Sequence, residues 1–313
     1  MVRPRSAWIV DRRDFLKIGA SALGGLAAHG IDLQAQRPFR FGLVTDSHYA
    51  DADPLGTRFY RESLGKMREA VDRLRDAQVA FLGVLGDIKD MAPRETEART
   101  LSHLRAIEAE IQRFGGPTYH VLGNHDMDNI SKPQMLSAIT NTGIGAHRSY
   151  YAFSRGGIRF VAIDACYVEN GADYDHGNFD WKDTWVPQAE LDWIEQELAA
   201  AREPVIVLAH QRLDAEGDVF VKNSPDVRAA LERSRKVLAV FMGHDHAGAS
   251  AVVNGIHYYT QRAVVEGSGP DNNAYTLVGV DADRNITVTG FRRAVSQRLP
   301  SSLRAKRLHR IDA

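Results

Sequence analysis

The sequence has 313 residues, of which 44% are hydrophobic and 25% are charged, and its formal net charge is -1. These values suit one large α/β domain or two small ones, and they give no reason to expect a nucleic acid polymer or an anionic membrane as partner. The only cysteine, Cys166, excludes an intramolecular disulfide.

Residues 1–35 are predicted to be an export signal. The run Asp11-Arg12-Arg13-Asp14-Phe15-Leu16-Lys17 resembles the bacterial twin-arginine motif, and the weakly apolar segment Ile18–Ala28 follows it. The alternative is an amphipathic helix at the start of the mature protein. We therefore expect the twin-arginine export machinery as a partner, a periplasmic or extracellular location and no stable membrane anchor. The mature part, residues 36–313, is predicted to be a single domain.

The central element is a predicted strand, Val79–Leu85, which ends at Gly86 and Asp87. Its near-continuous apolar run suits a strand that is covered on both faces. Because ligands bind at the carboxyl ends of strands in open α/β sheets, Asp87 is a candidate site residue. Four other apolar runs also end in residue types that bind metals, and together the five predict a polynuclear metal site. They are Phe41–Thr45 before Asp46 and His48, Thr118–Leu122 before Asn124 and His125, Pro204–Ala209 before His210, and Val237–Met242 before His244 and His246.

Helical spacing of apolar residues predicts helices over Arg58–Asp76, Glu95–Phe114, Pro187–Ala200 and Pro225–Arg235. Further strands are predicted over Ser149–Phe153, Ile158–Ala165, Ala249–Val253, Gly255–Thr260, Ala274–Val280 and Ile286–Phe291. The segment from Asn124 to about Thr142 is predicted to be irregular. The polar insertion 169–185 forms either the wall of a substrate pocket or a plain surface loop. Residues 298–313 are predicted to be a frayed tail.

The ordered motifs Asp-x-His, Gly-Asp-x-x-Asp, Gly-Asn-His-Asp, a later His and Gly-His-x-His resemble the calcineurin-like metallophosphoesterase superfamily. The resemblance covers about residues 39–291. It implies an α/β fold, a four-layer αββα sandwich with mixed sheets. It also implies a metal-dependent phosphoric ester hydrolase.

The resemblance implies two adjacent divalent metal ions. One would be held by Asp46, His48, Asp87 and His246, and the other by Asp87, Asn124, His210 and His244. Asp87 would bridge them, and these ligands suit Mn, Fe, Zn or Co. The implied reaction is in-line attack on phosphorus by a hydroxide shared between the metals.

Two further residues are implied to act in the reaction. His125 would contact the phosphate and protonate the leaving oxygen, and Asp90 would orient His125. Asp90 also argues against the purple acid phosphatase branch, which has a tyrosine at that position.

Stretches around Tyr49–Asp53, Gly56–Leu64 and Gly255–Tyr275 resemble the manganese-dependent ADP-ribose/CDP-alcohol diphosphatase branch, although that branch tends to carry Gln in place of His48. We therefore expect manganese and a small nucleotide-like substrate that is cleaved at a phosphodiester or phosphoanhydride. His176 and Asn273 are candidate substrate-binding residues. The insertion's aromatics, Tyr174, Phe179 and Trp181, either stack on a base or pack in the core. The alternatives are an exported phosphomonoesterase of broad specificity and a non-catalytic metal-binding scaffold.

Overall fold

Two six-stranded mixed sheets lie face to face in the computed structural model, which describes residues 38–303. The predicted export signal, residues 1–35, and residues 304–313 of the predicted tail lie outside the described residues. Within residues 38–303, none of the helices combines the length and apolar character that a membrane span requires.

The described chain contains five α-helices and twelve strands. In chain order they are β1 (Phe39–Val44), α1 (Ser63–Asp76), β2 (Leu82–Val84), α2 (Glu97–Gln112), β3 (Thr118–His120), α3 (Lys132–Ala138), β4 (Tyr151–Arg155), β5 (Ile158–Ala162), α4 (Gln188–Ala200), β6 (Val205–Leu208), α5 (Ser224–Ser234), β7 (Val237–Met242), β8 (Ala249–Val253), β9 (Ile256–Thr260), β10 (Ala274–Val280), β11 (Ile286–Arg292) and β12 (Gln297–Leu299). Short 3-10 turns cover Tyr60–Glu62, Asn124–Met127 and Pro270–Asn272.

The first sheet has the strand order β12-β11-β10-β1-β2-β3, and the second has the order β4-β5-β6-β7-β9-β8. In the first sheet β1, β2 and β3 run parallel, whereas β10, β11 and β12 add antiparallel strands. In the second sheet β5, β6, β7 and β9 run parallel, with β4 and β8 antiparallel at the edges. Each sheet therefore presents a set of parallel carboxyl ends, where site residues are expected.

Aromatic side chains fill the space between the two sheets. Phe41 and Phe81 from the first sheet stack with centroids 4.9 Å apart, and the ring of Phe160 from the second sheet lies edge-on, 5.0 Å from Phe81. All three side chains are fully buried. Such packing fixes the separation of the sheets, and it therefore fixes the distance between residues at their ends.

Helices cover the outer face of each sheet. Leu74 of α1 and Ile107 of α2 pack against the first sheet, and Ile194 of α4 and Leu231 of α5 pack against the second. The order of layers is thus helix, sheet, sheet, helix. The predicted four-layer α/β fold is confirmed.

Two local predictions were wrong. Helix α3 lies in the segment that was expected to be irregular, and a capping box starts it: the Ser131 side chain accepts from the Gln134 backbone while Gln134 reaches back. Arg298 and Leu299, the first residues of the predicted frayed tail, belong to strand β12, because they pair with Thr287 and Ile286 of β11. The capping signal could be read from the sequence, whereas the pairing of β12 could not.

Candidate metal centre

The carboxyl ends of the two parallel strand sets meet at one place. His244, which follows β7 in the second sheet, donates its backbone N–H to the carboxylate of Asp46, which follows β1 in the first (3.1 Å). Asp46 in turn donates its own backbone N–H to Gly86, just before Asp87 (3.0 Å). The motifs that the sequence places far apart are therefore neighbours across the sheet interface.

Several of the candidate ligands have an unusual backbone conformation. The φ angles of Asp46, His48, Asp87 and His244 are 52°, 44°, 51° and 68°. This left-handed region is uncommon for residues other than glycine and persists only where the surrounding structure enforces it. The strand ends thus turn sharply and direct these side chains into a common space.

One group of donors consists of Asp46, His48 and His246. The Nε2 atoms of His48 and His246 are 3.1 Å apart, and Asp46 Oδ1 lies 3.7 Å and 3.5 Å from them. The Nδ1 atoms point away, to Asp90 (3.0 Å) and to Glu266 (2.6 Å). Because a carboxylate contacts the Nδ1 atom of each ring, the two Nε2 atoms face the site. Metal-binding histidines are oriented in the same way.

A second group consists of Asp87, His210 and His244. Asn124, which follows β3, is the fourth member that the sequence predicted. His210 Nδ1 donates to the carbonyl of Leu85 (2.7 Å), and its Nε2 lies 3.1 Å from Asp87 Oδ2. The Oδ1 of Asn124 and the Nε2 of His244 are buried without a hydrogen-bond partner among residues 38–303, and His210 Nε2, although 3.1 Å from Asp87 Oδ2, is not aligned for a hydrogen bond with it. A buried polar atom without a partner costs about 1–3 kcal/mol. Amide oxygen and imidazole nitrogen are ligands of divalent ions, so the residue types of these donors fit a metal.

Asp87 lies between the two groups. Its Oδ2 atom is 3.5 Å from His48 Nε2 of the first group as well as 3.1 Å from His210 Nε2 of the second. Its Oδ1 accepts the backbone N–H of His125 (2.8 Å). Burial raises the pKa of Asp87, but the nearby positive charge of His210, His125 and His48 outweighs it and holds that pKa well below its usual range. The carboxylate of Asp87 therefore contacts one histidine of each donor group.

The buried carboxylates of this site favour the positively charged form of neighbouring groups. Burial lowers the pKa of His210, but the carboxylates of Asp87 and Asp46 raise it to about 9. His244 is the exception, because burial and the positive charge of His210 lower its pKa to about 3. Metal ions supply the same positive charge and leave the imidazoles neutral, which is the form that binds metal.

His125 lies at the rim, where its side chain is 29% exposed. Its Nδ1 atom lies 3.2 Å from Asp128 Oδ2 and 3.6 Å from Asp90 Oδ2. Burial lowers the pKa of His125, but these two carboxylates raise it well above its usual value. The expected partner, Asp90, is therefore the more distant of the two, because it makes its closer contact with His48.

The two predicted substrate-binding residues make their contacts with groups other than the candidate metal ligands. Asn273 is fully buried, and its amide donates to the carbonyl of Lys66 (2.8 Å) and accepts from the backbone of Ala274 (2.9 Å). These contacts use the amide within the fold and leave it no face for a substrate. His176 is exposed and pairs with Asp175 and Glu97, and no contact among the described residues links it to the metal-binding candidates.

Sequence reasoning also missed residues that support the site. Asp126 accepts backbone N–H groups from Gly123 (2.8 Å), Asp87 (3.1 Å) and Ile88 (2.9 Å), and so fixes the turn that carries Asp87. Its place in the Gly-Asn-His-Asp motif could have revealed it. The spacing of Asp128, three residues after His125, could have revealed its contact in the same way. The roles of three others depend on contacts between distant loops and have no local signature: Arg58, Lys89 and Glu266.

The family profile described as calcineurin-like phosphoesterase matches residues 39–248. A manganese-dependent ADP-ribose/CDP-alcohol diphosphatase of Oryza sativa subsp. japonica is 28% identical over 295 residues, which cover 80% of this chain and 90% of the relative. A probable cyclic nucleotide phosphodiesterase of Rhodopseudomonas palustris is 26% identical over 269 residues, which cover 79% of this chain and 90% of the relative.

Among solved structures, a dimetal phosphatase from Danio rerio is similar to this chain with a TM-score of 0.74 and 24% sequence identity. The match covers 85% of this chain and 100% of that one. At this identity the likeness concerns the fold, and it supports the order of sheets and helices described above.

Proposed function

Since the chain belongs to the calcineurin-like phosphoesterase family and is a metal-dependent phosphoester hydrolase, we propose that it cleaves a phosphodiester or phosphoanhydride bond in a small nucleotide-like substrate. The proposal is carried by the convergence of buried carboxylate, amide and imidazole donors about Asp87. The names of the relatives, a diphosphatase and a cyclic nucleotide phosphodiesterase, support this class of substrate.

The site would hold two divalent ions, and manganese is proposed because the diphosphatase relative is named as manganese-dependent. Asp46, His48, Asp87 and His246 would hold one ion, and Asp87, Asn124, His210 and His244 the other. When bound, such ions acidify a water molecule and neutralise charge on phosphoryl oxygens.

His125 is proposed to donate a proton to the leaving oxygen from Nε2. Asp128 and Asp90 hold the opposite nitrogen and keep the ring protonated, because they raise its pKa after burial has lowered it. A general acid must carry its proton at the working pH, and this environment meets that requirement.

Arg58 is proposed to bind a second phosphate. Its guanidinium lies 3.9 Å from Asp90 and its side chain is 32% exposed, so it faces solvent at the edge of the site. A planar guanidinium suits bidentate contact with a phosphate, which a phosphoanhydride substrate supplies beside the reacting one.

A phosphomonoesterase of broad specificity is the second candidate. It is favoured by His48, which differs from the Gln expected of the diphosphatase branch and which lies 3.1 Å from His246 within the first donor group. An imidazole in place of an amide changes the ligand set of one metal. The substrate preference of this protein can then differ from that of the diphosphatase branch.

The deciding experiment assays the purified protein with manganese against p-nitrophenyl phosphate, bis-p-nitrophenyl phosphate, ADP-ribose and CDP-choline in parallel. We expect manganese-dependent hydrolysis with the highest kcat/KM on the two diphosphates, and a loss of about 10²-fold or more in His125→Ala. A preference for the monoester would favour the second candidate. Bound metal without hydrolysis of any ester would indicate a non-catalytic scaffold.

His176→Ala is the matched control, because it removes an exposed histidine of the same type that pairs with Glu97 rather than with the site. Its kinetic constants should equal those of the wild-type protein. A large loss in this variant would instead restore His176 as a substrate-binding residue.

We also propose that the protein is exported by the twin-arginine machinery, on the basis of Arg12, Arg13 and the apolar segment that follows them. Cell fractionation of the full-length protein tests this. Replacing both arginines by lysine should retain active enzyme in the cytoplasm, whereas unchanged export would contradict the proposal.

A further inference from the structure

Trp181 is an exposed indole beside the metal-binding candidates. Its side chain is 41% exposed, and its ring centroid lies 5.7 Å from the imidazole of His244 at an interplanar angle of 55°. An exposed aromatic surface next to a polar site has a different environment from one that fills a core, and such positions favour ligand contact.

The other two aromatic candidates in the insertion have a different environment. Tyr174 is fully buried and stacks on Phe179, with centroids 3.8 Å apart and planes within 6°. These two rings pack against the core formed with helices α1 and α2. Phe179 is partly exposed, but one face of its ring is covered by Tyr174. Of the three candidates for base stacking, Trp181 is the one that is largely exposed and lies beside a candidate ligand.

Contacts on either side hold Trp181 in place. The carboxylate of Asp180 accepts the backbone N–H of Lys182 (3.0 Å), and the carbonyl of Asp180 accepts that of Asp183 (2.8 Å), so the indole sits on a closed turn. The hydroxyl of the buried Tyr174 donates to the carbonyl of Asp183 (3.0 Å), which ties this turn to the core. The backbone that carries the indole is thus ordered before any ligand arrives, which lowers the entropy cost of binding.

Lys182 defines a second side of the ring. Its Nζ atom lies 5.3 Å from the centroid of Trp181 and forms an ion pair with Asp218 (2.8 Å). Lys182 and His244 therefore cover part of the indole, and the 41% of the residue that is exposed is the surface that a ligand can contact.

We infer that Trp181 binds the nucleobase of the substrate by stacking; this inference rests on the proposed function. In a nucleotide the base is joined to the α-phosphate through the ribose, so a phosphoryl group held between the candidate metal ligands places the base one sugar away from them. The indole, with its centroid 5.7 Å from the imidazole of His244, lies beside these ligands on the side where the base can reach it. Stacking accepts purines and pyrimidines alike, because every base has a π-face. Trp181 therefore contributes to affinity for nucleotides as a class and does not distinguish adenine from cytosine.

The test compares Trp181→Leu with Trp181→Phe, because leucine keeps an apolar side chain without a ring and phenylalanine keeps a ring. Substrates are ADP-ribose, CDP-choline and the methyl ester of ribose 5-diphosphate, which has the diphosphate but lacks a base. Trp193→Leu is the matched control, since Trp193 packs on Tyr150 with centroids 4.9 Å apart, away from the candidate ligands.

We expect Trp181→Leu to raise KM about tenfold on both nucleotide substrates, with little change in kcat and no change on the base-free ester. Trp181→Phe should recover most of the affinity, and Trp193→Leu should match the wild-type protein. An equal loss on all three substrates would assign Trp181 a structural role, and no loss would leave it outside the substrate site; both outcomes overturn the inference.

A binding measurement gives a second readout. AMP should quench the tryptophan emission of the wild-type protein, and the quenching should be much weaker in Trp181→Phe, although that variant still binds AMP in equilibrium dialysis. Equal quenching in both proteins would overturn the inference. If the wild-type protein hydrolyses none of the phosphoesters, the proposed function itself fails. If it hydrolyses them but the Trp181 variants behave like the wild-type protein, only the inference about Trp181 fails.

Discussion

At the scale of single residues, the candidate ligands are held by partners on their far side. The rings of His48 and His246 are oriented by the carboxylates of Asp90 and Glu266, and the ring of His210 by the carbonyl of Leu85. Outer partners of this kind fix the tautomer and orientation of a ligand. The site therefore depends on residues that never touch a metal.

Asp128 is the closest carboxylate to His125 and gives the first prediction. Asp128→Asn removes a negative charge that raises the pKa of His125, so that pKa falls. Because His125 must be protonated to donate, the alkaline limb of the pH profile of kcat should move to lower pH. Steady-state kinetics across the pH range measures this shift, and bound metal should stay unchanged.

Asp72→Asn is a suitable control for that experiment, because Asp72 is a surface carboxylate that pairs with Arg75 and Arg113. Its pH profile should be that of the wild-type protein. If Asp90→Asn moves the alkaline limb and Asp128→Asn does not, the orienting role belongs to Asp90, as the sequence implied.

Gly123 gives the second prediction. A methyl group at this position would collide with the backbone nitrogen and carboxylate of Asp87, so an alanine must displace the candidate bridging ligand. Gly123→Ala should weaken metal binding by about 10–100-fold, the range found when outer partners of a metal site are lost. Manganese titration followed by calorimetry measures the change.

Gly65→Ala is the matched control, since Gly65 lies on α1 with open space around its added methyl group. Alanine there should leave metal affinity unchanged and favour the helix slightly. Unchanged metal affinity in Gly123→Ala as well would show that the turn tolerates the methyl group and that Asp87 is not held as described.

At the scale of elements, a buried ion pair joins β3 to α2 behind the site. His120 Nε2 lies 3.0 Å from the carboxylate of Glu108, and both residues are buried. Glu108 also accepts from Gln112 (2.8 Å) and from the backbone of Thr140 (3.0 Å). This network fixes the strand from which Asn124 and His125 follow.

The pair gives the third prediction. Burial lowers the pKa of His120, but the charge of Glu108 and hydrogen bonds to Glu108 and Asn141 raise it above its usual value. A folded-state pKa above that of the unfolded chain gives stability that is complete below about pH 6.5 and is lost as pH rises through the folded-state pKa. His120→Gln should cost about 1–3 kcal/mol at low pH and less at high pH.

Urea unfolding of the wild-type protein and His120→Gln at several pH values measures that difference in the free energy of unfolding. His257→Gln is the comparison, because the buried His257 bonds the carbonyl of Pro300 (2.8 Å) and has no carboxylate partner among the described residues. A wild-type advantage over His120→Gln that stays constant with pH would contradict the assignment of charge to His120.

At the scale of the whole molecule, the candidate ligands come from both sheets. Asp46, Asp87 and Asn124 follow strands of the first sheet, whereas His210 and His244 follow strands of the second. A metal bound by both sets connects the two halves of the fold. Metal binding is therefore expected to be coupled to folding stability.

The fourth prediction follows from this coupling. Manganese at a hundred times its Kd should stabilise the folded protein by about 2.7 kcal/mol, because it binds the folded state alone. EDTA should remove the gain, and Asp87→Asn should show little of it. Thermal unfolding with and without metal measures the effect; an equal Tm in both conditions would mean that no metal joins the sheets.

The class of fold and of enzyme could be predicted from the amino-acid sequence. Apolar runs that end in Asp, Asn or His predicted a metal site at strand ends. The resemblance of the ordered motifs to the calcineurin-like metallophosphoesterases implied the α/β fold and the metal-dependent hydrolase, and both are confirmed. The ligand set remains a prediction that the convergence of the donors supports. Helix α3 could also have been predicted from a local pattern, because the capping box of Ser131 and Gln134 can be recognised in the sequence.

Which distant atoms meet could be learned only from the tertiary structure. It brings Asp90 closer to His48 (3.0 Å) than to His125 (3.6 Å), buries Asn273 within the fold, and leaves Trp181 exposed next to His244. The physical reason is that secondary structure follows from the periodicity of neighbouring residues, whereas contacts between separate loops depend on how two sheets pack. A polar residue's sequence position therefore gives its chemistry but not its partner.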